Sequence, residues 1–275
     1  MNIHLIANNL YQEEGLFFSK SKTEISYPEE GNADCAQIED NSFWFKHRNK
    51  CIETVVKKYG EGKPFFDIGG GNGFVAKGIQ LLGIETVLVE PGISGCLNAQ
   101  KRNIKTIVCS TLEDAGFLPN NLPSAGMFDV VEHIEDDITF LKNIYAFLET
   151  NGLVYITVPA YQMLWSYEDD YAGHFRRYTI ESISDKLRAV GFEMVYSTYI
   201  FSILPLPIFL TRSLPSKFSK SKPAYNIEKA KDAHLEKKGS MQSVLNNIWQ
   251  WELSQIEKGK KIPFGGSCLI VAKKR

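Results

Sequence analysis

The chain has 275 residues, of which 44% are hydrophobic, and a formal net charge of −1. This length and composition suit one large globular domain, or one domain with a cap. The near-neutral charge gives no electrostatic basis for nucleic acid as the main partner. The five cysteines are scattered without a C-x-x-C pair, so we expect reduced thiols and a cytoplasmic protein. The amino-terminal residues lack a basic region before their apolar residues, and we expect no signal peptide.

The first 40 residues show no regular pattern and are predicted to be irregular. A helix is predicted to follow, with Asp40 or Ser42 as its cap and its end near Tyr59. Three aromatic residues, among them Trp44, lie with Arg48 at its start. They indicate either a lid over a ligand, with Arg48 near a carboxylate, or a helix packed on a sheet with Arg48 in solvent. We treat residues 1–60 as this cap or lid segment.

The sequence F-F-D-I-G-G-G-N-G at residues 65–73 is typical of a buried strand that enters a glycine loop and then a helix. A dinucleotide fingerprint would require a third glycine at position 74, which is Phe74. A second strand at residues 85–89 ends in Glu90, where an acidic side chain usually binds ribose hydroxyls. The pattern favours an adenosine-containing ligand without a pyrophosphate. The alternative is a turn that only joins a strand to a helix.

These residues resemble the first two motifs of the class I S-adenosylmethionine-dependent methyltransferases, within a bacterial subgroup like methyltransferase types 11 and 12. The matching residues are 66–73 and 89–90, and the resemblance spans roughly residues 43–200 and the last strand. It implies S-adenosylmethionine as the cofactor, with the loop against its methionine part and Glu90 against its ribose. The predicted cofactor contacts are Asp67, Gly69, Gly70, Gly71, Glu90, Thr111, Leu112, Phe128 and Arg48.

The resemblance also implies a Rossmann-like α/β fold. We expect a seven-stranded, mostly parallel sheet with an antiparallel last strand, helices on both faces, and a helical insertion between strands six and seven. The further strands are predicted at residues 105–109, 125–131, 153–158, 192–201 and 267–272. The cofactor-binding domain would comprise residues 61–200 and 266–275, and the insertion residues 201–265.

Polar residues follow the fourth predicted strand, at the sheet edge where ligands bind in such folds. A hydroxyl acceptor must lose its proton, and a neutral imidazole can accept it near pH 7. His133, oriented by Glu132, and His174 are therefore the candidate catalytic bases. The alternative is that His133 only binds loop backbone. Asp129-x-x-Glu132-His133 is also similar to the E-x-x-E-H metal motif of ubiquinone-pathway and small-RNA ribose O-methyltransferases, although metal-free relatives share the E-H pair, so metal binding stays open.

An aromatic-rich segment at residues 161–178 follows the fifth strand. Part of it, D-x-x-x-G-H-x-R-R-Y at residues 169–178, resembles a segment in a bacterial subgroup of uncharacterised methyltransferases. Two adjacent arginines suit an acidic acceptor, but we expect at least one to pair with Asp169 or Asp170. The predicted acceptor-binding residues are Trp44, Tyr161, Trp165, Arg176, Arg177 and Tyr178.

The insertion contains an apolar, proline-rich stretch at residues 203–210 that is too short to span a bilayer. Lys217, Lys220 and Lys222 follow, and then an amphipathic helix is predicted over residues 227–257. The stretch is either a buried connector or a surface for an apolar or lipid-linked substrate. The insertion could also form a homodimer interface.

Together these patterns predict a methyltransferase that acts on a small-molecule acceptor, with a hydroxyl oxygen as the predicted methyl acceptor. Sugar, phenol, quinone and lipid-linked saccharide acceptors remain open, as does nitrogen. The alternatives are a binding protein that keeps the cofactor pocket without catalysis, and a nicotinamide oxidoreductase, against which Phe74 argues.

Overall fold

The computed structural model describes residues 2–21, 32, 35–36, 38–218 and 240–275 of the chain, without the side chains of 240–242. Its strands are β1 (Leu10–Glu13), β2 (Leu16–Ser19), β3 (Phe65–Ile68), β4 (Thr86–Val89), β5 (Thr106–Cys109), β6 (Leu122–Phe128), β7 (Leu148–Pro159), β8 (Phe192–Ile200) and β9 (Ser267–Lys274). They form one sheet in the order β1-β2-β5-β4-β3-β6-β7-β9-β8. The strands from β2 to β7 run parallel, whereas β9 is antiparallel to β7 and β8. The predicted Rossmann-like α/β fold is confirmed.

The helices are α1 (Phe43–Tyr59), α2 (Phe74–Leu81), α3 (Ile93–Lys101), α4 (Asp137–Phe147), α5 (Tyr167–Ala172), α6 (Ile180–Val190), α7 (Pro205–Ile208), α8 (Leu214–Phe218) and α9 (Ser240–Glu257). Of the two residues predicted to cap α1, Ser42 is the cap, because its hydroxyl accepts hydrogen bonds from the amides of Trp44 and Phe45.

The core lies on both faces of the sheet. Alternate residues of a strand point to opposite faces, and Val154 and Ile156 of β7 accordingly belong to one apolar cluster while Tyr155 belongs to another. The first cluster includes residues of α4 and α6, and the second includes residues of α1, α2 and α9. Helices therefore cover both faces, which explains why every residue of β3 and β4 is buried.

The prediction that the amino-terminal 40 residues are irregular is wrong. Residues 10–19 form a β-hairpin, and its second strand pairs parallel with β5 through Phe17–Val108 and Phe18–Cys109. The turn consists of Glu14 and Gly15, both with positive φ (48° and 82°), as in the two-residue turns that fit strand twist. The hairpin enlarges the sheet from the predicted seven strands to nine.

The fourth predicted strand ends three residues earlier than expected. Asp129 adopts a left-handed conformation with φ 56°, and residues Val131–His133 form a 3₁₀ turn. Asp129, Glu132 and His133 still follow the carboxyl end of β6, so the polar residues remain at the predicted sheet edge.

The insertion begins with α7, a π-helical turn at Phe209–Ser213 and α8, and it ends with α9. Lys220, Lys222 and the predicted helix start at residue 227 lie outside the described residues. Helix α9 packs on α1, where the Trp249 and Phe43 rings stack with centroids 6.3 Å apart. Among the described residues, no helix combines the length and apolar character needed to span a bilayer. The division into cap, binding domain and insertion stays a prediction.

Candidate active site

Side chains pack closely against the backbone of the glycine loop that follows β3. Gly69 and Gly71 have positive φ values of 67° and 52°. A Cβ atom at Gly70 would lie 2.3 Å from Leu88 Cδ1 and 2.6 Å from the Asp67 carboxylate. No side chain other than hydrogen therefore fits at Gly70, and the backbone of the loop forms the surface offered to a ligand.

Glu90 lies at the carboxyl end of β4, next to this loop. The Gly71 amide donates a hydrogen bond to Glu90 Oε2 at 2.9 Å, and the Gly92 amide donates to Oε1 at 2.8 Å. Burial raises the pKa of Glu90. The carboxamide of Asn32 also donates to Oε1, at 3.3 Å. Asn32 belongs to a segment in which the sequence shows no motif, so sequence reasoning missed it.

Asp67 is buried below the loop. Its Oδ2 accepts a hydrogen bond from the Ala76 amide at 3.0 Å, whereas Oδ1 has no hydrogen-bond partner within the described part of the chain. Burial raises the pKa of Asp67 to about 7. A buried carboxylate oxygen without a partner favours a ligand that donates a proton or carries positive charge. Asp67, the glycine loop and Glu90 therefore fit a ligand with an ammonium group and a ribose.

Arg48 of α1 is 7% exposed and lies near the carboxylate of Asp129, so the interpretation that placed Arg48 in solvent is wrong. Its role in a lid over a ligand stays a prediction. Arg48 Nη1 forms an ion pair with Asp129 Oδ2, and the Thr157 hydroxyl donates to Asp129 Oδ1 at 3.1 Å. The guanidinium group stacks over the rings of Trp44 and Phe45, at 4.9 and 5.1 Å from their centroids. Both oxygens of Asp129 are thus already engaged by protein groups.

The structure brings together Glu132, His133 and His174, which come from two separate segments. One side-chain donor atom of each lies within 4.8 Å of the others, and the two imidazole rings meet edge to face with centroids 4.7 Å apart. His174 Nδ1 lies 2.8 Å from Asp169 Oδ1. Burial and the neighbouring His174 lower the pKa of His133 to about 4, so His133 is neutral at pH 7.

Glu132 is the most deeply buried member of this cluster, with 0% of its surface exposed. Neither of its carboxylate oxygens has a hydrogen-bond partner among the residues that the structure describes. Burial and the negative charge of Asp129 raise the pKa of Glu132 well above its usual range. Among the described residues, no hydrogen bond from Glu132 to His133 supports the predicted role of Glu132 in orienting that ring.

The two arginines of the 161–178 segment both pair with carboxylates. Arg177 forms a two-point contact with Asp169, at 2.7 Å from Nε to Oδ1 and 3.0 Å from Nη2 to Oδ2. Arg176 pairs with Asp137 at 2.8 Å, and the Tyr178 hydroxyl donates to the same carboxylate at 2.7 Å. The expectation that at least one arginine is structural agrees with these contacts. Binding of an acidic acceptor by either arginine stays a prediction.

The remaining aromatic residues predicted to bind the acceptor lie in other contacts. Tyr161 stacks on Tyr199 with centroids 5.2 Å apart, Trp165 donates to Asp170 at 3.1 Å, and Trp44 stacks on Phe201 at 5.3 Å. An apolar hollow of about 140 Å³ lies between the loop after β7 and the start of the insertion. It is lined by Tyr161, Met163, Leu164, Pro205, Leu206, Phe209 and Phe264.

Three residues that were predicted to contact the cofactor make contacts within the protein itself. Thr111 Oγ1 accepts a hydrogen bond from the Asp114 amide at 3.1 Å, and Leu112 is buried in the core. Phe128 stacks parallel to Phe65 with centroids 6.2 Å apart, inside the apolar cluster under the sheet. Their contacts with a cofactor stay predictions.

Comparison with known families and structures identifies the family and the fold. A family described as a methyltransferase domain matches residues 43–197, more than half of the chain. The chain belongs to this family. The prediction of a class I S-adenosylmethionine-dependent methyltransferase, made from the glycine loop and Glu90, is thereby confirmed. No curated protein matches this methyltransferase domain in sequence.

Solved structures of low sequence identity share the fold. Phosphoethanolamine N-methyltransferase 2 of Haemonchus contortus, in complex with phosphomonomethylethanolamine and S-adenosylhomocysteine, has a TM-score of 0.54 at 19% identity and aligns over 90% of this methyltransferase chain. The alignment covers 57% of the Haemonchus chain, so this protein spans little more than half of that length. A methyltransferase of Archaeoglobus fulgidus aligns with a TM-score of 0.51 and 17% identity, over 84% of this chain and all of its own.

The fold alone does not determine the reaction. The [4+2]-cyclase SpnF aligns with 92% of this methyltransferase chain and 99% of its own, with a TM-score of 0.54 and 13% identity. Activity must therefore be argued from the residues of the site.

Proposed function

We propose that this protein transfers a methyl group from S-adenosylmethionine to a hydroxyl oxygen of a small molecule. The observation that carries the proposal is the position of the Glu132, His133 and His174 cluster. It lies just past the carboxyl end of β6, next to β3 in the sheet, on the edge where the glycine loop and Glu90 would hold the cofactor.

The family and the residues of the loop agree on S-adenosylmethionine as the methyl donor, as the sequence predicted. When bound, it supplies an electrophilic methyl carbon on a positively charged sulfur. The loop backbone at Gly69–Gly71 and the unpartnered Asp67 Oδ1 would hold its methionine part, and Glu90 would accept hydrogen bonds from its ribose.

An oxygen acceptor needs help to lose its proton, which the cluster can provide. In the absence of a bound metal ion, the imidazole of His133, which is neutral at pH 7, or that of His174 accepts the hydroxyl proton. The oxygen lone pair then forms the new bond to the methyl carbon, and the electron pair of the broken carbon–sulfur bond stays on sulfur. The protein must align oxygen, carbon and sulfur for this displacement.

The apolar hollow beside Tyr161 supports an acceptor with an apolar part, such as a phenol or a lipid-linked saccharide. Its lining combines the loop that follows β7 with the first residues of the insertion. The carboxylate partners of Arg176 and Arg177 give no support to an acidic acceptor bound through these arginines.

Binding of S-adenosylhomocysteine tests the cofactor site. At 100 times its dissociation constant, a ligand of the native state adds about 2.7 kcal/mol to the free energy of unfolding, which raises the melting temperature by several degrees. Gly71→Val and Glu90→Ala should remove most of this shift. Glu85→Ala, at the exposed amino end of β4, is the matched control and should keep it.

The reaction is tested with labelled S-adenosylmethionine and an extract of small molecules. We expect a product labelled on oxygen, identified by mass spectrometry. A product labelled on nitrogen would show that the acceptor atom is nitrogen and that the proposed oxygen acceptor is wrong. Cofactor binding without any methyl transfer would mean that the protein binds the cofactor but is not an enzyme. In the thermal-shift experiment, an unchanged shift in both Gly71→Val and Glu90→Ala would refute the cofactor site.

A further inference from the structure

We propose that Glu132, His133 and His174 bind one divalent transition-metal ion. The catalytic role of this ion rests on the proposed function, because the ion would lie where the hydroxyl group of the acceptor binds. One donor atom of each side chain lies within 4.8 Å of the others. Bonds of about 2.0–2.2 Å to one ion place two ligands about 3–4 Å apart, so small movements of the side chains would bring all three donors onto a single ion.

The hydrogen bonds that hold the rings of His133 and His174 are of the kind that metal-binding histidines form. His174 Nδ1 is held by Asp169 Oδ1 at 2.8 Å, and Arg177 fixes Asp169 through two further contacts. The ring of His133 forms a hydrogen bond with the backbone of Ala172. A histidine that binds a metal through one nitrogen almost always donates from the other to a carboxylate or a carbonyl. Each ring therefore has one contact of the kind that orients a metal-binding histidine, and each offers one nitrogen to the cluster.

Glu132 supplies the independent observation. Its carboxylate is fully buried, and both oxygens are without a hydrogen-bond partner among the described residues. A buried carboxylate without a partner is costly, and proteins usually pair it or use it to coordinate a metal. The charges of Arg48 and Arg177 lower the pKa of Glu132, but burial and Asp129 raise it more. Among the described residues, Arg48 forms its ion pair with Asp129 and Arg177 forms its ion pair with Asp169. A cation between Glu132 and the histidines would compensate this charge.

The donor set indicates the kind of ion. Two imidazoles and one carboxylate suit Zn²⁺ or Fe²⁺, whereas Mg²⁺ and Ca²⁺ prefer oxygen ligands. Asp129 is not part of the set, because Arg48 and Thr157 engage its oxygens. Three protein ligands leave at least one coordination position for an oxygen of the acceptor.

A bound cation changes how the site activates the acceptor. A hydroxyl group that binds a divalent ion has a lowered pKa, so its proton can pass to water and the oxygen lone pair becomes available for the methyl carbon. The histidines then act as ligands, and neither has to serve as the base.

Metal-free protein titrated with Co²⁺ and Zn²⁺ tests the site. We expect one Co²⁺ ion per chain with visible absorption bands of nitrogen and oxygen coordination, and displacement of Co²⁺ by Zn²⁺. His133→Ala, His174→Ala and Glu132→Gln should each weaken Zn²⁺ binding at least tenfold by calorimetry. Asp169→Asn, which changes the support of His174, should weaken it by about 10- to 100-fold.

His4→Ala is the matched control, because His4 is exposed at the amino terminus, and it should bind both ions like the wild type. The shift in melting temperature with S-adenosylhomocysteine reports whether each variant is folded. Absence of stoichiometric Co²⁺ binding in protein that still binds S-adenosylhomocysteine would overturn the metal site and leave the proposed function standing. Undiminished binding in all three ligand variants would also overturn it. Stoichiometric Co²⁺ binding without any methyl transfer would instead count against the proposed function.

Discussion

Asp67 is a single buried carboxyl group whose ionisation connects the stability of the ligand-free protein to pH. Its pKa in the folded protein is about 7, because of burial, against 3.8 for the ordinary group. Below pH 4 the group is protonated in both the folded and the unfolded state. Between pH 4 and pH 7 the unfolded state ionises first, so the free energy of unfolding falls as pH rises.

We expect Asp67→Asn to remove this pH dependence. One pKa unit corresponds to about 1.36 kcal/mol, so between pH 5 and pH 8 the variant should gain roughly 2–3 kcal/mol relative to the wild type. Urea denaturation of the ligand-free proteins at both pH values measures the difference. Asp185→Asn, on the exposed face of α6, should show no such change. A constant difference between Asp67→Asn and wild type would contradict the buried, protonated state of Asp67.

Residues close in sequence were predicted better than those that the fold brings together. The glycine loop and Glu90 follow consecutive strands, so their spacing alone indicates a shared pocket. Asn32 has no such pattern, and it contacts Glu90 across 58 positions of the chain. His133 and His174 were predicted separately as candidate bases, whereas their edge-to-face contact depends on the path of α5.

At the scale of elements, Glu252 connects α9 to the rest of the protein. It is buried and accepts hydrogen bonds from the Phe201 amide at 2.9 Å and from the Ser202 hydroxyl at 2.6 Å. His47 Nε2 of α1 lies 2.8 Å from its Oε2. Burial acts to raise the pKa of Glu252, but the hydrogen bonds from His47 and Ser202 outweigh this effect and lower the pKa.

We expect Glu252→Gln to destabilise the protein by about 1.5–3 kcal/mol, the range for hydrogen bonds to charged groups. Because the pKa of Glu252 is lowered on folding, its contribution is present above pH 4.5 and is lost as pH falls below that value. Thermal unfolding at pH 7 and pH 4 measures both effects. Glu257→Gln, exposed on the same helix, should have little effect, and equal effects of the two changes would argue against an anchoring role of Glu252.

The elements that sequence analysis identified share a strong local pattern. Helix α6, for example, begins after the cap Thr179 and ends at Gly191, which has φ 117°. The hairpin β1–β2 was missed because its strands have four residues each and only Leu10 and Leu16 of them are buried. The end of β6 was placed too late, because Val130 and Val131 continue an apolar run past the left-handed turn at Asp129.

At the scale of the whole molecule, the amino-terminal hairpin belongs to the same folded unit as the cofactor loop. Leu16 of β2 is 2% exposed and lies in one apolar cluster with Ala76 of α2, Leu88 of β4 and Ile107 of β5. Leu88 is also the residue that a side chain at Gly70 would meet. The packing that supports the loop therefore extends to a hairpin that no motif predicted.

We expect Leu16→Ala to lower the stability of the entire domain by about 2–5 kcal/mol, the cost of deleting a buried leucine side chain. A single unfolding transition with a lower midpoint, and faster amide hydrogen exchange in β4 and β5 as well as in β2, would show that the sheet unfolds as one unit. Tyr11→Ala in β1, where the tyrosine is 43% exposed, is the control and should change the midpoint little. Faster exchange confined to residues 10–19, with an unchanged midpoint, would mean that the hairpin is a separable attachment. The cofactor loop would then depend on β3, β4 and α2 alone.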